Sequence, residues 1–461
     1  MSDPRARRRL WLGALLSGVA LAVASWLWAA GGLYEASGHG NTQTGVLRSS
    51  TQYARGECGH CHEGHAGQDT DPTLYPYGLF AEEEDVCWTC HDGTVTYAAD
   101  ARIGFSSTPP NTTTDYYKHP VSPLYSGVTP SGHRSGEVAP SAFGAGRRHA
   151  ECVDCHNPHA AANNGTAGQS THNPGGPTGN RLAAALLGAT GLVVTSWQGA
   201  GQPFSSASYR LEPLTSLTGN YEWQTCLKCH SSFTTLPTFS AIGSGNFTAS
   251  KITSQTAGQV REYQDLGQAI NPNNLSYHPL AAVGLNAGIP VASFTGPWSA
   301  TSTMGCSDCH TKGAGAGGAA GPHGSTNMHI LNRPVRLQEN THYVDPSWGN
   351  AIGHDPNELC FQCHRWQTYV QKTADPVTNT LFRKGSSDNL HTKHMGDWAR
   401  GVTCYTCHDV HGTNKQHLIN FNRAYVTAPA GSQGAYTHSA NGGSCNLTCH
   451  GENHNPLAYS R

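Results

Sequence analysis

Apolar residues fall into a few short runs along this chain, separated by polar stretches rich in glycine and proline. Residues 10–33, from Leu10 to Leu33, carry no charge and follow Arg5, Arg7, Arg8 and Arg9, with a small-x-small triplet at Ala22-Val23-Ala24. That order predicts an export signal over residues 1–24. A run of 24 uncharged residues can also span a bilayer, so an uncleaved anchor reaching residue 33 is the alternative. The Arg8-Arg9 pair before Leu10-Trp11-Leu12 is a weak trace of a twin-arginine signal. A second apolar run, 182–197, has 16 residues and two glycines, which predicts a buried helix followed by a strand and not a membrane span. Val260, Tyr263, Leu266 and Ile270 recur at three- and four-residue spacing and predict the longest helix, over 254–270. Asn164-Gly165, Asn173-Pro174-Gly175-Gly176, Asn271-Pro272-Asn273-Asn274 and the stretch 313–321 are turn-forming text. The expected fold is loop-rich, with short α-helices and little β.

Composition sharpens this picture. Hydrophobic residues make up 37% and charged residues 13% of 461 positions, against a usual ~25% charged, so side chains alone make a thin core. Gly 54 and Pro 26 stay below the ~25–30% that marks low-complexity disorder. A net charge of −2 without a Lys/Arg stripe excludes a nucleic-acid binder, because phosphate recognition needs clustered positive charge. Sixteen cysteines are too sparse for a disulfide scaffold, and 27 histidines nearly equal the 28 Lys plus Arg. Together they point to metal.

Every cysteine falls in one pattern. Cys58/Cys61-His62, Cys87/Cys90-His91, Cys152/Cys155-His156, Cys226/Cys229-His230, Cys306/Cys309-His310, Cys360/Cys363-His364 and Cys404/Cys407-His408 are C-x-x-C-H, and Cys445/Cys449-His450 has one extra residue. C-x-x-C-H attaches c-type haem: two thiols add to the vinyl groups, and the adjacent imidazole meets the iron. A single match could also be a zinc site or a redox dithiol. A histidine after every one of eight pairs has a chance probability on the order of 10⁻¹⁰. Eight covalently attached haems are expected. The first cysteines are 29, 65, 74, 80, 54, 44 and 41 residues apart, without a fixed repeat, so haems are threaded along the whole body. The best boundary lies near 215: residues 33–215 would carry haems 1–3 and residues 216–461 haems 4–8.

Eight motif histidines leave 19 others for the sixth iron positions, whereas only Met1, Met304, Met328 and Met395 could offer sulfur. Bis-histidine, low-spin iron is therefore expected. His65, His159 and His411 follow a motif histidine by three residues, and His119 and His278 precede prolines. His39, His149 and His323 sit beside glycines or just before a motif, and His391 and His394 share one helical turn. These ten are the distal candidates. His60, inside its own motif, is expected not to ligate, and His133, His172, His329, His342, His354, His417, His438 and His454 rank lower.

Several segments carry a resemblance. Arg148-His149-x-Glu151-Cys152-x-x-Cys155-His156-Asn157-Pro158-His159, Asn271-Pro272-Asn273-Asn274-x-x-x-His278-Pro279, Gly321-Pro322-His323-Gly324-Ser325, Asn389-Leu390-His391-x-x-His394 and Cys404-x-x-Cys407-His408-Asp409-Val410-His411-Gly412 resemble the doubled-CxxCH multihaem cytochromes of metal-reducing bacteria. The resemblance implies periplasmic or cell-surface electron carriers for extracellular acceptors, some of which polymerise into filaments; a core built largely from stacked haems is expected from the composition, since each macrocycle adds a large apolar body to a thin side-chain core.

Three function classes follow. The leading one is an electron conduit of eight haems, whose partners are other cytochromes, copies of itself or an extracellular acceptor, with membrane contact only through an N-terminal anchor. The alternative is an octahaem oxidoreductase of nitrogen or sulfur compounds, whose reductive members often carry a lysine in place of the proximal histidine; no C-x-x-C-K occurs here. The third is a structural subunit in which haems serve assembly. No catalytic residue is assigned. Loss of residues 1–24 takes the net charge from −2 to −5. Sixteen propionates would bring it to about −21 if none is neutralised, a field that steers cationic partners.

Overall fold

The computed structural model describes residues 32–49, 51–63, 78–105, 117–119, 121, 150–162, 179–233, 265–313, 316–336, 343–344, 351–352, 354–371, 376–395, 402–422, 425–427, 435–449 and 451–460. The export or anchor segment, His65, His149, His133, His172, His342 and His450 lie outside them.

Helices are short. The longest among the described residues are the six-residue Glu83–Trp88, Glu222–Leu227 and Leu390–Met395. Such lengths are marginal without tertiary support, so local caps matter. In three motifs the residue before the first cysteine donates its amide to the residue three further on: Glu151 to Asp154 Oδ2 (2.9 Å), Gly305 to Asp308 Oδ2 (3.0 Å) and Thr403 to Thr406 Oγ1 (3.3 Å).

Of the helix and strand expected over 182–197, the strand forms and the helix is reduced to a single 3-10 turn, because Gly188 turns the chain directly after it. A 3-10 turn, Ala184–Leu186, precedes the strand Thr190–Val194, and Gly188 at φ +78° makes the corner between them. The strand pairs antiparallel with Tyr209–Pro213, with Leu192 opposite Leu211. Leu192 and Tyr209 then pack with Phe204, Trp223, Leu227, Ile270, Leu280, Trp298 and Met304 in a cluster that joins both sides of position 215.

Two expectations are corrected. The helix predicted over 254–270 does not run through: Asp265 has extended backbone (φ −119°, ψ 107°), and its carboxylate accepts the Gln268 amide, so only Leu266–Ala269 is helical beyond it. An aspartate that caps a turn starts a new helix and cannot sit inside an older one. Residues 254–264 lie outside the described residues. β-structure also exceeds the expected "little": the described residues form five sheets, and the largest of these gathers the strands Arg383–Lys384, Asp388–Asn389, Val426–Thr427, Ala435–Ser439, Gly442–Cys449 and Glu452–Ser460. Sequences such as AYTHS and ENHNPLAYS lack the apolar alternation of a half-buried strand, so their pairing rests on backbone hydrogen bonds that the pattern does not announce. Among the described residues, no helix is long and apolar enough to cross a membrane.

Candidate haem-binding site

Seven motifs share one local geometry. The amide of the motif histidine donates to the carbonyl of the first cysteine, at 2.8–3.0 Å, in all of Cys58–His62, Cys87–His91, Cys152–His156, Cys226–His230, Cys306–His310, Cys360–His364 and Cys404–His408. This i to i−4 turn stacks the imidazole on the face of the first thiol, which is why the chemistry needs that spacing. The eighth motif differs, since Cys445 and Cys449 lie on the strand Gly442–Cys449. None of the sixteen cysteines is in a disulfide, and all sixteen line one continuous cavity of about 4730 Å³. Shared among eight motifs, that is roughly 590 Å³ each, inside the ~300–1,000 Å³ of ligand pockets.

The histidine rings are paired across this cavity. His62 faces His159 at a centroid separation of 6.0 Å, His91 faces His39 at 6.1 Å, His156 faces His323 at 6.0 Å and His230 faces His119 at 6.3 Å. His310 faces His411 at 6.3 Å, His364 faces His278 at 6.4 Å, and His408 faces His391 at 6.3 Å. His394 faces His454 at 6.2 Å. Two imidazoles trans across one metal, with metal–nitrogen bonds of about 2.0–2.1 Å, have centroids roughly 6.3 Å apart. Donor type, spacing and cavity all fit bis-histidine haem. Eight of the ten distal candidates are thus brought opposite another histidine; His65 and His149 fall outside the described residues.

Hydrogen bonds fix which ring nitrogen is free. Nδ1 of His91, His156, His310 and His408 donates to the carbonyls of Ala99, Ala185, His329 and His417, at 2.8–2.9 Å. A carbonyl only accepts, so Nδ1 carries the proton and Nε2 keeps its lone pair for iron. His329 and Ile330 (φ 60° and 56°) and His417 and Leu418 (φ 60° and 56°) repeat the same left-handed pair. For a β-branched isoleucine this is strained backbone, tolerated here where it aims a carbonyl at a motif imidazole.

A second set of bonds ties neighbouring sites together. His39 Nδ1 donates to the Pro158 carbonyl (3.0 Å), His119 to Pro322 (2.7 Å), His278 to Val410 (2.6 Å) and His394 to Leu390 (2.6 Å). Each acceptor directly precedes the partner histidine of the preceding motif: His159, His323, His411 and His391. Motifs 1 and 2, 3 and 4, 5 and 6, and 7 and the last site are joined in this way. Between these pairs, cysteines meet. The Cys87 thiol contacts Cys152, Cys226 contacts Cys306, and Cys360 contacts Cys404; that neighbouring thiol, followed by burial, raises the second cysteine of each couple well above the ordinary thiol range. Glu83 Oε1 accepts the Val153 amide (2.8 Å), and Glu222 Oε1 accepts that of Ser307 (2.7 Å), across the first two of these junctions.

Burial lowers the pKa of several of the paired histidines. His323 and His364 are pushed down to about 3 and His411 to about 4, each chiefly by desolvation, and His39, His119, His156, His278, His310, His391 and His454 move the same way. Neutral imidazole is the ligating form. His60 is buried with Nε2 donating to Ala54 (2.9 Å) and Nδ1 accepting the Arg48 amide (3.2 Å), which leaves neither nitrogen for a metal. His354 is enclosed between Glu358 and the Val402 carbonyl. His454, ranked low from sequence, does enter a ring pair; no spacing signal marks it, because its partner strand sets its position.

A family model for the doubled CXXCH motif matches residues 51–96. The match supports a multihaem c-type cytochrome. Its motifs indicate covalently bound c-type haem, and such cytochromes are typically electron carriers. Neither a curated protein nor a solved structure matches the chain.

Proposed function

We propose that the chain is an electron-transfer cytochrome that holds eight bis-histidine c-type haems in single file, in the order of their motifs. The carrying observation is the alternation of links: an imidazole-to-carbonyl bond inside each pair of sites, a cysteine contact between successive pairs. Haem iron, when bound, supplies one-electron chemistry. The protein's own part is to hold neutral imidazoles with Nε2 inward, to fix their tautomer through backbone carbonyls, and to wall the sites with apolar side chains such as Trp223, Phe204 and Ile270. Every described motif histidine faces a second imidazole, an arrangement suited to electron transfer and not to binding a small substrate.

The apolar N-terminal run with its basic leader supports export, to the periplasm or the cell surface. Other cytochromes, further copies of the chain or an extracellular acceptor are the partners this reading assigns. Low-temperature electron paramagnetic resonance of the oxidised protein, after a haem count by mass, tests it. Eight haems, all low-spin, are expected. A stoichiometric high-spin signal that shifts with nitrite or hydroxylamine would move the reading to an octahaem oxidoreductase.

A further inference from the structure

We propose that Thr380 sets the iron potential at the seventh site, the one framed by His408 and His391, and holds it above the value that a backbone carbonyl partner would give. The inference rests on the bis-histidine reading above and deepens it at one site. Its support is a difference between ligands. In four motif histidines, His91, His156, His310 and His408, and in four distal ones, His39, His119, His278 and His394, the Nδ1 proton goes to a backbone carbonyl. At His391 the partner is a hydroxyl instead, with Thr380 Oγ1 at 2.7 Å from Nδ1. His391 faces His408 at a centroid separation of 6.3 Å, so Nε2 is the nitrogen kept for iron. Nδ1 then carries the proton, and the hydroxyl oxygen accepts it.

Acceptor strength gives the sign of the effect. A peptide carbonyl is a strong acceptor, and an alcohol oxygen is a weaker one. Thr380 Oγ1 also accepts the amide of Phe382 at 3.2 Å, which occupies one of its two lone pairs. The pull on the Nδ1 proton is therefore weaker at His391 than at the carbonyl-held ligands. A less polarised imidazole is a poorer electron donor, and the oxidised iron opposite it loses stabilisation. The ring is not free to turn to another acceptor. Tyr369 meets it edge to face at 4.9 Å and Phe382 does so at 5.2 Å, while Thr380 is 2% exposed, which keeps bulk water from the bond. The hydroxyl also begins a chain of bonds. The Phe382 carbonyl accepts the Leu390 amide at 2.9 Å, and the Leu390 carbonyl accepts His394 Nδ1 at 2.6 Å. Thr380 thus positions His391 directly and reaches His394, the distal ligand of the next site, only through peptide groups.

The test uses the full-length holoprotein and the variants Thr380→Val, Thr380→Ser and Thr380→Asn, each titrated potentiometrically with optical detection after a haem count by mass. The component that moves in His391→Met, where sulfur replaces an axial imidazole, marks the seventh site. Valine is close to threonine in volume but offers no acceptor, so that component should move upward. Serine restores the hydroxyl and should return it to the parent value. Asparagine supplies an amide oxygen and should move it downward. A component unmoved in both the valine and the asparagine variants overturns the proposal, as does a displacement of the same sign in all three. If Thr380→Val alone loses its seventh haem, the asparagine variant decides: a downward displacement supports the proposal, and any other result overturns it. Loss of that haem from both variants makes Thr380 a support of the fold and not a tuning residue, which also overturns it. Fewer than eight haems or a high-spin iron in the parent would defeat the bis-histidine reading itself, whereas eight low-spin haems with an unmoved component defeat only the role of Thr380.

Discussion

His278 donates its Nδ1 proton to the carbonyl oxygen of Val410, 2.6 Å away, and Val410 is the residue before His411. Since His411 faces His310 and His278 faces His364, one hydrogen bond spans two candidate iron sites. The ligand of one site is thus positioned by the backbone that carries the ligand of the other.

This relationship predicts coupled behaviour. His411→Met should raise the potential of the His310 site on the order of 100 mV or more, given the ~0.8 V that axial ligands command. The His364 site should move by a smaller amount, because Val410 shifts with its neighbour. Potentiometric titration followed by optical spectroscopy resolves this as two displaced components out of eight; a single displaced component would show that the carbonyl bond carries no coupling.

The attachment positions were legible in the sequence because covalent chemistry dictates them. A thiol, two spacers, a thiol and a histidine are read off without knowledge of the fold. Distal histidines were half legible: their immediate neighbours, such as Pro120 after His119 or Gly324 after His323, mark them as held, yet nothing local says which iron they serve. His119 reaches His230 because Tyr117–Lys118 pairs with Gly324–Ser325, roughly two hundred residues away in the chain. Non-local pairing of this kind leaves no periodicity. The same reason hides the polar C-terminal sheet and, with it, the place of His454.

Lys228 tests the buried polar framework between motifs. Its side chain and that of Asp154 are each 2% exposed, with Nζ 3.6 Å from Oδ1 and donating to the Asp154 backbone carbonyl. Removing one partner of a buried pair leaves an uncompensated charge and costs about 3–5 kcal/mol. Lys228→Met should lower the stability of the holoprotein by about that amount, and Lys228→Met with Asp154→Asn should recover part of it. Thermal unfolding of the two variants by circular dichroism measures the difference.

Stability should depend on pH through Glu151. Burial, followed by the nearby acidic charges, pushes Glu151 up to about 8, so between its unfolded value near 4.3 and about 8 the folded chain binds the extra proton and stability falls as pH rises. Glu151→Gln should flatten that slope. Denaturant midpoints measured at pH steps from 4 to 9 should fall with rising pH less steeply in the Glu151→Gln variant than in the parent; an equal slope would show that Glu151 ionises normally.

The thin apolar core makes the attached groups part of the fold. The largest buried cluster has nine residues, and the longest described helices have six, so few contacts remain when the cavity walls lose what they enclose. Cysteine-to-alanine changes in several motifs at once should give an apoprotein with no cooperative thermal transition, by analogy with metal-dependent small domains. A helical apoprotein with a sharp melting transition would contradict this.

Gly412 shows how tightly a distal histidine is seated. It follows His411 in a two-residue strand paired with Ser276–Tyr277, and a Cβ there would overlap the Ala269 carbonyl oxygen and crowd the Tyr277 Cβ. Gly324, after His323, meets the carbonyl of Gly104 in the same way. Both obstacles are backbone, which cannot rotate aside as a side chain can. Gly412→Ala should therefore cost about 1–3 kcal/mol in overpacking and displace His411 from the face of His310. The readout is electron paramagnetic resonance: a partial high-spin signal, absent from the parent and from the control Gly385→Ala, whose Cβ meets nothing within 4 Å although its φ of +66° carries ordinary glycine strain. Equal spectra in the two variants would mean that the strand can yield at Gly412 without moving the ligand, and that the close approach of the two backbones is not what seats His411.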